Sequence, residues 1–137
     1  MPGLITMNKL GILIVDDAEE VRRDLRTVLT LAPDLQVVGE AVNGIEAVTL
    51  ADDLRPDLVL MDLRLPGLDG MEATEQIKRR GLAGGVIMLT IYGQEENRDR
   101  AAAAGVDLFI EKGVGIETLV AAIRQVGRAC PQPAPEK

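Results

Sequence analysis

The segment LGILIVDD, residues 10–17, decides the fold. Its first six residues are apolar or glycine at both alternating sets of positions, which is typical of a strand buried on both faces inside a parallel sheet. The apolar run ends at Asp16 and Asp17. The helical spacing of the next apolar residues predicts an amphipathic helix at residues 18–31, which we expect Asp17 to cap. Its charged residues are expected on the solvent-exposed face: Glu19, Glu20, Arg22, Arg23 and Arg26.

The same alternation of a short apolar run and an amphipathic stretch recurs along the rest of the chain. Four further strands are predicted at residues 37–41, 58–61, 86–89 and 107–110. The helices that follow them are predicted at residues 45–54, 71–80, 94–104 and 116–127. Five strand–helix units in strict alternation predict a parallel sheet with helices on both faces. The second strand is the least apolar, so we expect it at an edge of the sheet.

The composition excludes several classes of protein. The 137 residues contain no histidine, which excludes Ser-His-Asp catalysis, histidine-ligated zinc and a role as a phosphohistidine donor. The apolar stretches are too short to span a bilayer, and the first residues lack the pattern of a signal peptide. A formal charge of −7 and the scarcity of aromatic side chains argue against nucleic-acid binding by this segment. A single cysteine, Cys130, cannot form an internal disulfide, so we expect a cytoplasmic location.

Polar side chains follow four of the five predicted strands at the point where each strand ends: Asp16 and Asp17, Asp62, Thr90, and Lys112. Taken singly, each has an ordinary explanation as a helix cap, a turn former, a strand residue or a solvated charge. We expect polar residues that adjoin strands to collect at the carboxyl ends of the strands and not at the amino ends. Because open parallel sheets bind ligands at the carboxyl ends, we expect these five side chains to share one pocket.

Three carboxylates in one pocket repel one another unless a cation neutralises them. Oxygen ligands without histidine or cysteine favour a hard cation, so Mg²⁺ is expected before Zn²⁺. Mg²⁺ keeps some of its water molecules and readily takes a phosphate oxygen as a further ligand. An aspartate beside this metal, an ammonium group and a hydroxyl group is suited to attack a phosphoryl group and form an aspartyl phosphate. The pattern therefore indicates phosphoryl chemistry.

The ordered combination of four segments resembles the receiver domain of a bacterial two-component response regulator. The segments are ILIVDD at 12–17, LMDLRLPGLDG at 60–70, MLT at 88–90 and FIEK at 109–112. The resemblance spans residues 9–127 and implies an α/β, flavodoxin-like (CheY-like) doubly wound sheet with strand order 2-1-3-4-5 and five helices. Residues 1–8 then form an N-terminal extension and residues 128–137 a proline-rich tail or linker. Residues 89–92 and 112–113 are most similar to the branch that carries a C-terminal LuxR-type helix-turn-helix domain.

The resemblance also implies a role for each residue around the metal. Asp62 is the expected phosphoacceptor, and Asp17 and Asp62 would bind Mg²⁺ directly together with the backbone carbonyl of Arg64. Asp16 would act mainly through a metal-bound water molecule. Lys112 would pair with Asp62 or with its phosphoryl group.

Two further residues would form the switch. Thr90 would hydrogen-bond a phosphoryl oxygen and draw the loop after the fourth strand inward, and Phe109 would rotate inward as Thr90 moves. Three residues depart from many relatives: Gly113 stands where proline is common, Ile91 is bulkier than usual, and Phe109 lacks a tyrosine hydroxyl. Arg64 and Tyr92 flank the site, from where they could set the lifetime of the phosphoryl group.

The expected function is a signalling switch that controls transcription through an effector domain absent from this chain. The expected phosphodonor is a histidine kinase or a phosphotransfer protein, and a homodimer could form through the face of helix 4, strand 5 and helix 5. DNA would be bound only by the missing effector domain, and no contact with a membrane is expected. The chain is not expected to be an enzyme beyond its own phosphorylation and dephosphorylation.

Three alternatives stay open on the sequence. The domain could be a stand-alone receiver that acts through protein–protein contacts. It could be a Mg²⁺-dependent phosphatase with an aspartyl-phosphate intermediate, although Arg64 stands where such enzymes usually place a second acid. It could be a flavodoxin-like cofactor binder, although the acidic loop at residues 16–20 would repel a phosphate.

Overall fold

Alternate side chains of the central strands enter two separate cores, which explains why these strands are apolar at every position. The structure, a computed structural model, describes residues 9–91 and 93–129. One core lies between the sheet and the first and fifth helices and contains Ile12, Ile14 and Leu60. The other core lies on the opposite face, under the second, third and fourth helices, and contains Leu13 and Met61. Burial on both faces therefore places the first and third strands inside the sheet.

The five strands are parallel, and their order in the sheet is β2-β1-β3-β4-β5, which confirms the predicted fold. The strands are β1 Leu10–Val15, β2 Leu35–Ala41, β3 Leu58–Met61, β4 Gly85–Thr90 and β5 Leu108–Glu111. The helices are α1 Glu19–Thr30, α2 Gly44–Leu54, α3 Gly70–Arg80, α4 Glu95–Ala104 and α5 Ile116–Ala129. Strand β2 lies at an edge, as predicted. In the described part of the chain, no helix has the length and apolarity needed to cross a membrane.

The ends of two helices differ from the sequence prediction. Asp17 does not cap α1: the N-cap residue is Ala18, whose side chain makes no capping hydrogen bond. The N–H of Ala18 instead donates to Asp16 Oδ1 at 2.9 Å, so the turn before the helix is closed by the other aspartate. Helix α5 continues through Ala129, so the predicted domain end at residue 127 lies inside this helix. Residues 1–8, Tyr92 and residues 130–137 lie outside the described residues.

Three aspartates lie at the opposite edge of the sheet, directly before strands: Asp34, Asp57 and Asp107. The premise that such residues collect only at the carboxyl ends is therefore wrong. Two of these carboxylates accept backbone hydrogen bonds from neighbouring strands, Asp57 from the N–H of Gly11 at 2.7 Å and Asp107 from the N–H of Val86 at 2.8 Å. These two carboxylates hold the amino ends of strands in place. The carboxylates at the carboxyl edge of the sheet lie close to one another instead.

Asp34, in the loop before β2, links this loop to α5. Its contacts lead us to expect that the free energy of unfolding depends on pH. Arg124 donates two hydrogen bonds to the Asp34 carboxylate and Arg128 donates one, each at 2.8 Å. The hydrogen bonds from Arg124 hold the pKa of Asp34 below its ordinary value. A lowered pKa in the folded state means that this contribution is present above the unfolded pKa and is lost as the pH falls below about 4.

We expect Asp34→Asn to remove this part of the acid dependence. Urea denaturation of the two proteins as a function of pH is the measurement, and Asp53→Asn, at an exposed position of α2, is the control. An unchanged acid dependence in Asp34→Asn would show that the cluster with the arginines does not stabilise the fold.

Thr74, on α3, carries a buried hydroxyl that has no hydrogen-bond partner among the described residues. A buried polar group without a partner costs about 1–3 kcal/mol. Valine has nearly the same shape and no hydroxyl, so we expect Thr74→Val to raise the free energy of unfolding by about 1 kcal/mol in chemical denaturation. Thr49→Val is the control, because the exposed Thr49 hydroxyl donates to the carbonyl of Ile45 at 3.1 Å. A less stable Thr74→Val protein would contradict the prediction.

Candidate functional site

Three carboxylates meet where β1 and β3 end side by side. The register pairs Val15 with Met61, and the N–H of Asp62 donates to the carbonyl of Val15 at 3.0 Å. Asp16, Asp17 and Asp62 each place a carboxylate oxygen within 4.8 Å of the other two. Asp16 and Asp62 are buried and Asp17 is exposed, so the cluster opens toward solvent on the Asp17 side.

Lys112 extends into this cluster from the end of β5. Its Nζ lies 2.8 Å from Asp16 Oδ2 and 3.7 Å from Asp62 Oδ1, so in this structure the lysine is nearer to Asp16 than to the predicted partner Asp62. The N–H of Lys112 donates to the carbonyl of Thr90 at 2.8 Å, which joins the ends of β4 and β5. The next residue, Gly113, has a φ of +108°, a conformation that proline cannot adopt. The loop therefore follows a path that a proline at this position would not allow.

The environment of Asp62 opposes its negative charge. Burial raises the pKa of this carboxyl to about 6, and the neighbouring negative charge of Asp16 acts in the same direction. Lys112, the N–H of Leu63 at 2.9 Å from Oδ1 and the hydroxyl of Thr90 favour the charged form but do not offset the burial. The carboxylates are thus placed where a further cation would relieve an unfavourable interaction.

The two predicted switch residues lie on neighbouring strands. Thr90 is fully buried at the end of β4, and its hydroxyl acts to lower the pKa of Asp62. Phe109, on β5, is half-buried and packs against the core beneath α2, α3 and α4. The guanidinium of Arg98, on α4, lies over the Phe109 ring at 4.7 Å from its centroid and 3.4 Å from Glu111. Phe109 therefore lies at the α4 side of the sheet, covered by an arginine.

The flanking positions are open to solvent. The side chain of Arg64 is exposed in the loop after β3, and Ile91 is 68 % exposed just after Thr90. Tyr92, the other flanking residue, lies outside the described residues.

One residue beside the site was missed by the sequence analysis. Arg22 was expected on the solvent-exposed face of α1, but its side chain is only 13 % exposed. Its guanidinium donates to the backbone carbonyl of Asp16 at 2.8 Å and to Glu40 at 3.2 Å. The partner on β2 is distant in sequence, so helical spacing alone could not reveal this contact.

The chain matches the family model for the response regulator receiver domain over residues 12–124. It belongs to this family. The match confirms the family that the four sequence segments indicate, and it includes all of the site residues described above.

Named relatives include regulators longer than this chain. The chain is 35% identical over 114 residues to the nitrate/nitrite response regulator protein NarL of Escherichia coli (strain K12), a match that covers 83% of this chain and 53% of NarL. It is 41% identical over 119 residues to the response regulator protein VraR of Staphylococcus aureus (strain NCTC 8325 / PS 47), covering 87% of this chain and 57% of VraR. The chain thus spans about half the length of these relatives.

A solved structure with a similar fold is that of a two-component response regulator of the LuxR family from Aurantimonas sp. SI85-9A1. It superimposes with a TM-score of 0.83 at 31% sequence identity, covering 93% of this chain and 91% of that chain. This domain is therefore similar to receivers of the branch expected from residues 89–92 and 112–113.

Proposed function

We propose that this domain accepts a phosphoryl group on Asp62, in a Mg²⁺-dependent reaction, from a phosphohistidine of a histidine kinase or phosphotransfer protein. The observation that carries the proposal is the cluster of three carboxylates within 4.8 Å, with Lys112 beside it, at the carboxyl edge of the sheet. An oxygen of Asp62 attacks the phosphorus atom, the N–P bond breaks, and the electron pair leaves with the imidazole of the donor. The product is an aspartyl phosphate.

The residues present fit Mg²⁺. The ligand set is made of oxygen atoms only, which suits a hard cation. Both carboxylate oxygens of Asp16 already accept hydrogen bonds, from the N–H of Ala18 and from Lys112. Asp17 and Asp62, with the backbone carbonyl of Arg64, are therefore proposed as the direct protein ligands, and Asp16 as a ligand through water. When bound, the metal supplies positive charge to the oxygens of the transferred phosphoryl group.

Lys112 and Thr90 are proposed to hold the phosphoryl group once it is attached. Lys112 Nζ is 3.7 Å from Asp62 Oδ1, and the buried Thr90 hydroxyl is near enough to influence the pKa of the Asp62 carboxyl, so both can bond a phosphoryl oxygen after small movements. Movement of Thr90 would shift the loop toward α4, where Arg98 covers Phe109. The phosphoryl group favours the switched state only through the extra contacts that it makes there.

The proposed output is control of transcription through an effector domain, since a structure of the LuxR family is among the relatives. We propose that the protein is cytoplasmic, where its donor would act, and that a homodimer through α4, β5 and α5 is one means of signalling.

The domain has no separate substrate to turn over: it transfers a phosphoryl group to itself and later releases it as phosphate.

The test is incubation with acetyl phosphate and Mg²⁺ followed by intact mass spectrometry. We expect a gain of one phosphoryl group, no gain when EDTA is present, and release of the group by hydroxylamine, which cleaves acyl phosphates. A gain that does not depend on Mg²⁺, or no gain at all, would contradict the proposal. Continuous release of phosphate from small phosphoesters would instead indicate a phosphatase.

Lys112→Ala is expected to separate phosphorylation from switching. The variant keeps the three carboxylates and should still accept a phosphoryl group, though more slowly, but it lacks the ammonium that links the group to β5. Because Phe109 is the single phenylalanine of the chain, fluorophenylalanine labelling gives one ¹⁹F resonance that reports on the switch. We expect this resonance to shift on phosphorylation in the wild type and to stay unshifted in Lys112→Ala.

Lys78→Ala is the control for this experiment, because Lys78 pairs with Asp107 at 2.9 Å, at the amino ends of the strands. Its resonance should shift as in the wild type. A full shift in Lys112→Ala would remove the role proposed for that lysine.

A further inference from the structure

We infer that Arg22 is a positioning residue for the metal site, held in place by Glu40. The inference deepens the proposed function and rests on Asp17 and Asp62 being the metal ligands. Arg22 touches neither metal ligand; it acts through the backbone of Asp16.

Arg22 links the end of β1 to β2 through two hydrogen bonds. One terminal nitrogen of the guanidinium donates to the carbonyl of Asp16 at 2.8 Å, and Nε donates to Glu40 at 3.2 Å. The side chains of Arg22 and Glu40 are 13 % and 26 % exposed. Arg26 also binds the Glu40 carboxylate, which limits the movement of Glu40. A planar guanidinium holds two donor nitrogens in fixed directions, one toward each partner, and the single nitrogen of a lysine cannot occupy both positions.

Asp16 is held at every polar atom, and each atom has a different partner. Its N–H donates to the carbonyl of Ala41 at 3.1 Å, and its carboxylate oxygens accept from Ala18 at 2.9 Å and Lys112 at 2.8 Å. The remaining atom, the carbonyl oxygen, is the one that Arg22 holds.

The carbonyl of Asp16 matters because it belongs to the peptide unit that leads to Asp17. This unit is planar, so fixing the carbonyl direction fixes the direction of the Asp17 N–H and constrains where the Asp17 side chain begins. Asp17 is exposed at the mouth of the cluster. Arg22 therefore determines how one proposed metal ligand is presented, although it lies on a helix that contributes no ligand.

A competing explanation is that Arg22 acts only through its charge. A positive charge near three carboxylates weakens the binding of a cation, so its removal would tighten Mg²⁺ binding. A positioning role predicts the opposite. Without the hydrogen bond from Arg22 to the Asp16 carbonyl, Asp17 adopts several orientations, and Mg²⁺ binds more weakly. The sign of the change in affinity distinguishes the two explanations.

The experiment is a Mg²⁺ titration of the whole chain followed by backbone amide shifts in NMR spectra. We expect Arg22→Gln to weaken Mg²⁺ binding roughly tenfold or more, as is typical when a residue that orients a metal ligand is removed. Arg23→Gln makes the same change of charge one residue further along, where Arg23 is exposed and pairs with Glu19 at 3.3 Å. It should stay within about twofold of the wild type, as befits an exposed ion pair.

Two further variants keep the inference testable if Arg22→Gln folds poorly. Arg22→Lys keeps the positive charge but not the two fixed donor nitrogens. Glu40→Gln keeps Arg22 but replaces its charged partner with a neutral one. Both variants should bind Mg²⁺ more weakly than the wild type. The double variant Arg22→Gln/Glu40→Gln should bind Mg²⁺ no more weakly than Arg22→Gln alone, because Glu40 acts through Arg22. In the metal-free protein, amide exchange at Ala18 should be faster in Arg22→Gln than in Arg23→Gln.

The outcomes separate this inference from the proposed function. Unchanged or tighter Mg²⁺ binding in Arg22→Gln, with a wild type that binds Mg²⁺, overturns the inference alone. A wild type that binds no Mg²⁺, or whose binding survives Asp17→Asn, overturns the proposed site and the inference with it.

Discussion

Asp62→Asn protein is expected to gain no phosphoryl group from acetyl phosphate and Mg²⁺ under conditions in which the wild type gains one. The amide cannot act as the nucleophile, and it also removes one proposed metal ligand. Intact mass spectrometry measures the difference directly. Burial and the charge of Asp16 raise the pKa of Asp62, so its charge opposes folding at neutral pH. The asparagine variant should therefore fold, and the loss of phosphorylation should not reflect unfolding.

The matched control is Asp69→Asn, in the same loop. The Asp69 carboxylate caps α3 by accepting the N–H of Glu72 at 2.9 Å, and asparagine caps helices about as well. This variant should gain a phosphoryl group as the wild type does. A phosphoryl group on Asp62→Asn would place the acceptor on another residue.

Gly70→Ala is expected to lower the free energy of unfolding by about 3 kcal/mol, at the upper end of the usual range for overpacking. A Cβ at Gly70 would lie 2.0 Å from the carbonyl oxygen of Asp62 and 3.0 Å from Cα of Leu63. The N–H of Gly70 also donates to the carbonyl of Leu63 at 2.9 Å, so the start of α3 lies directly against the backbone that follows Asp62. Neither backbone segment can yield without moving Asp62, so phosphorylation should slow as well.

Chemical denaturation measures this loss, and Gly115→Ala is its control because a Cβ there would meet open space. Alanine is favoured over glycine by about 1 kcal/mol in a helix interior, so Gly70→Ala, at the first residue of α3, would not lower the free energy of unfolding if the close approach were harmless. Equal or greater stability of Gly70→Ala would contradict the described packing of α3 against the loop.

The sheet and its carboxyl edge could be predicted because they follow from local patterns. Strands such as residues 12–15 and 58–61 are apolar on both faces, and only the interior of a parallel sheet covers both faces. The parallel direction of the strands then brings the residues that follow them to one edge. Asp16, Asp17 and Asp62 meet for this reason.

The contacts within the site could not be predicted in the same way. Lys112 lies nearer to Asp16 than to Asp62, and the spacing of residues along the chain does not determine which of two adjacent carboxylates a long side chain reaches. Arg22 was placed in solvent because helical spacing describes where a side chain begins and not where a long side chain ends. Its partner Glu40 is on another strand, so the pair exists only after β1 and β2 are side by side.

The aspartates at the amino ends of the strands show a limit of arguing from position. Asp57 and Asp107 resemble site residues in the sequence, since each adjoins a strand. The structure distinguishes them because each accepts a hydrogen bond from a backbone N–H of a neighbouring strand. A carboxylate that accepts such bonds fixes the register of the sheet, whereas carboxylates that face one another call for a cation.

The most direct measurement is the identity of the residue that carries the phosphoryl group. Borohydride reduces an aspartyl phosphate to homoserine, and peptide mapping then locates the converted residue. After incubation with acetyl phosphate and Mg²⁺, we predict homoserine at position 62, and none there when EDTA is present. Homoserine at another aspartate, or phosphorylated protein without any conversion at position 62, would contradict the assignment of Asp62 as the phosphoacceptor.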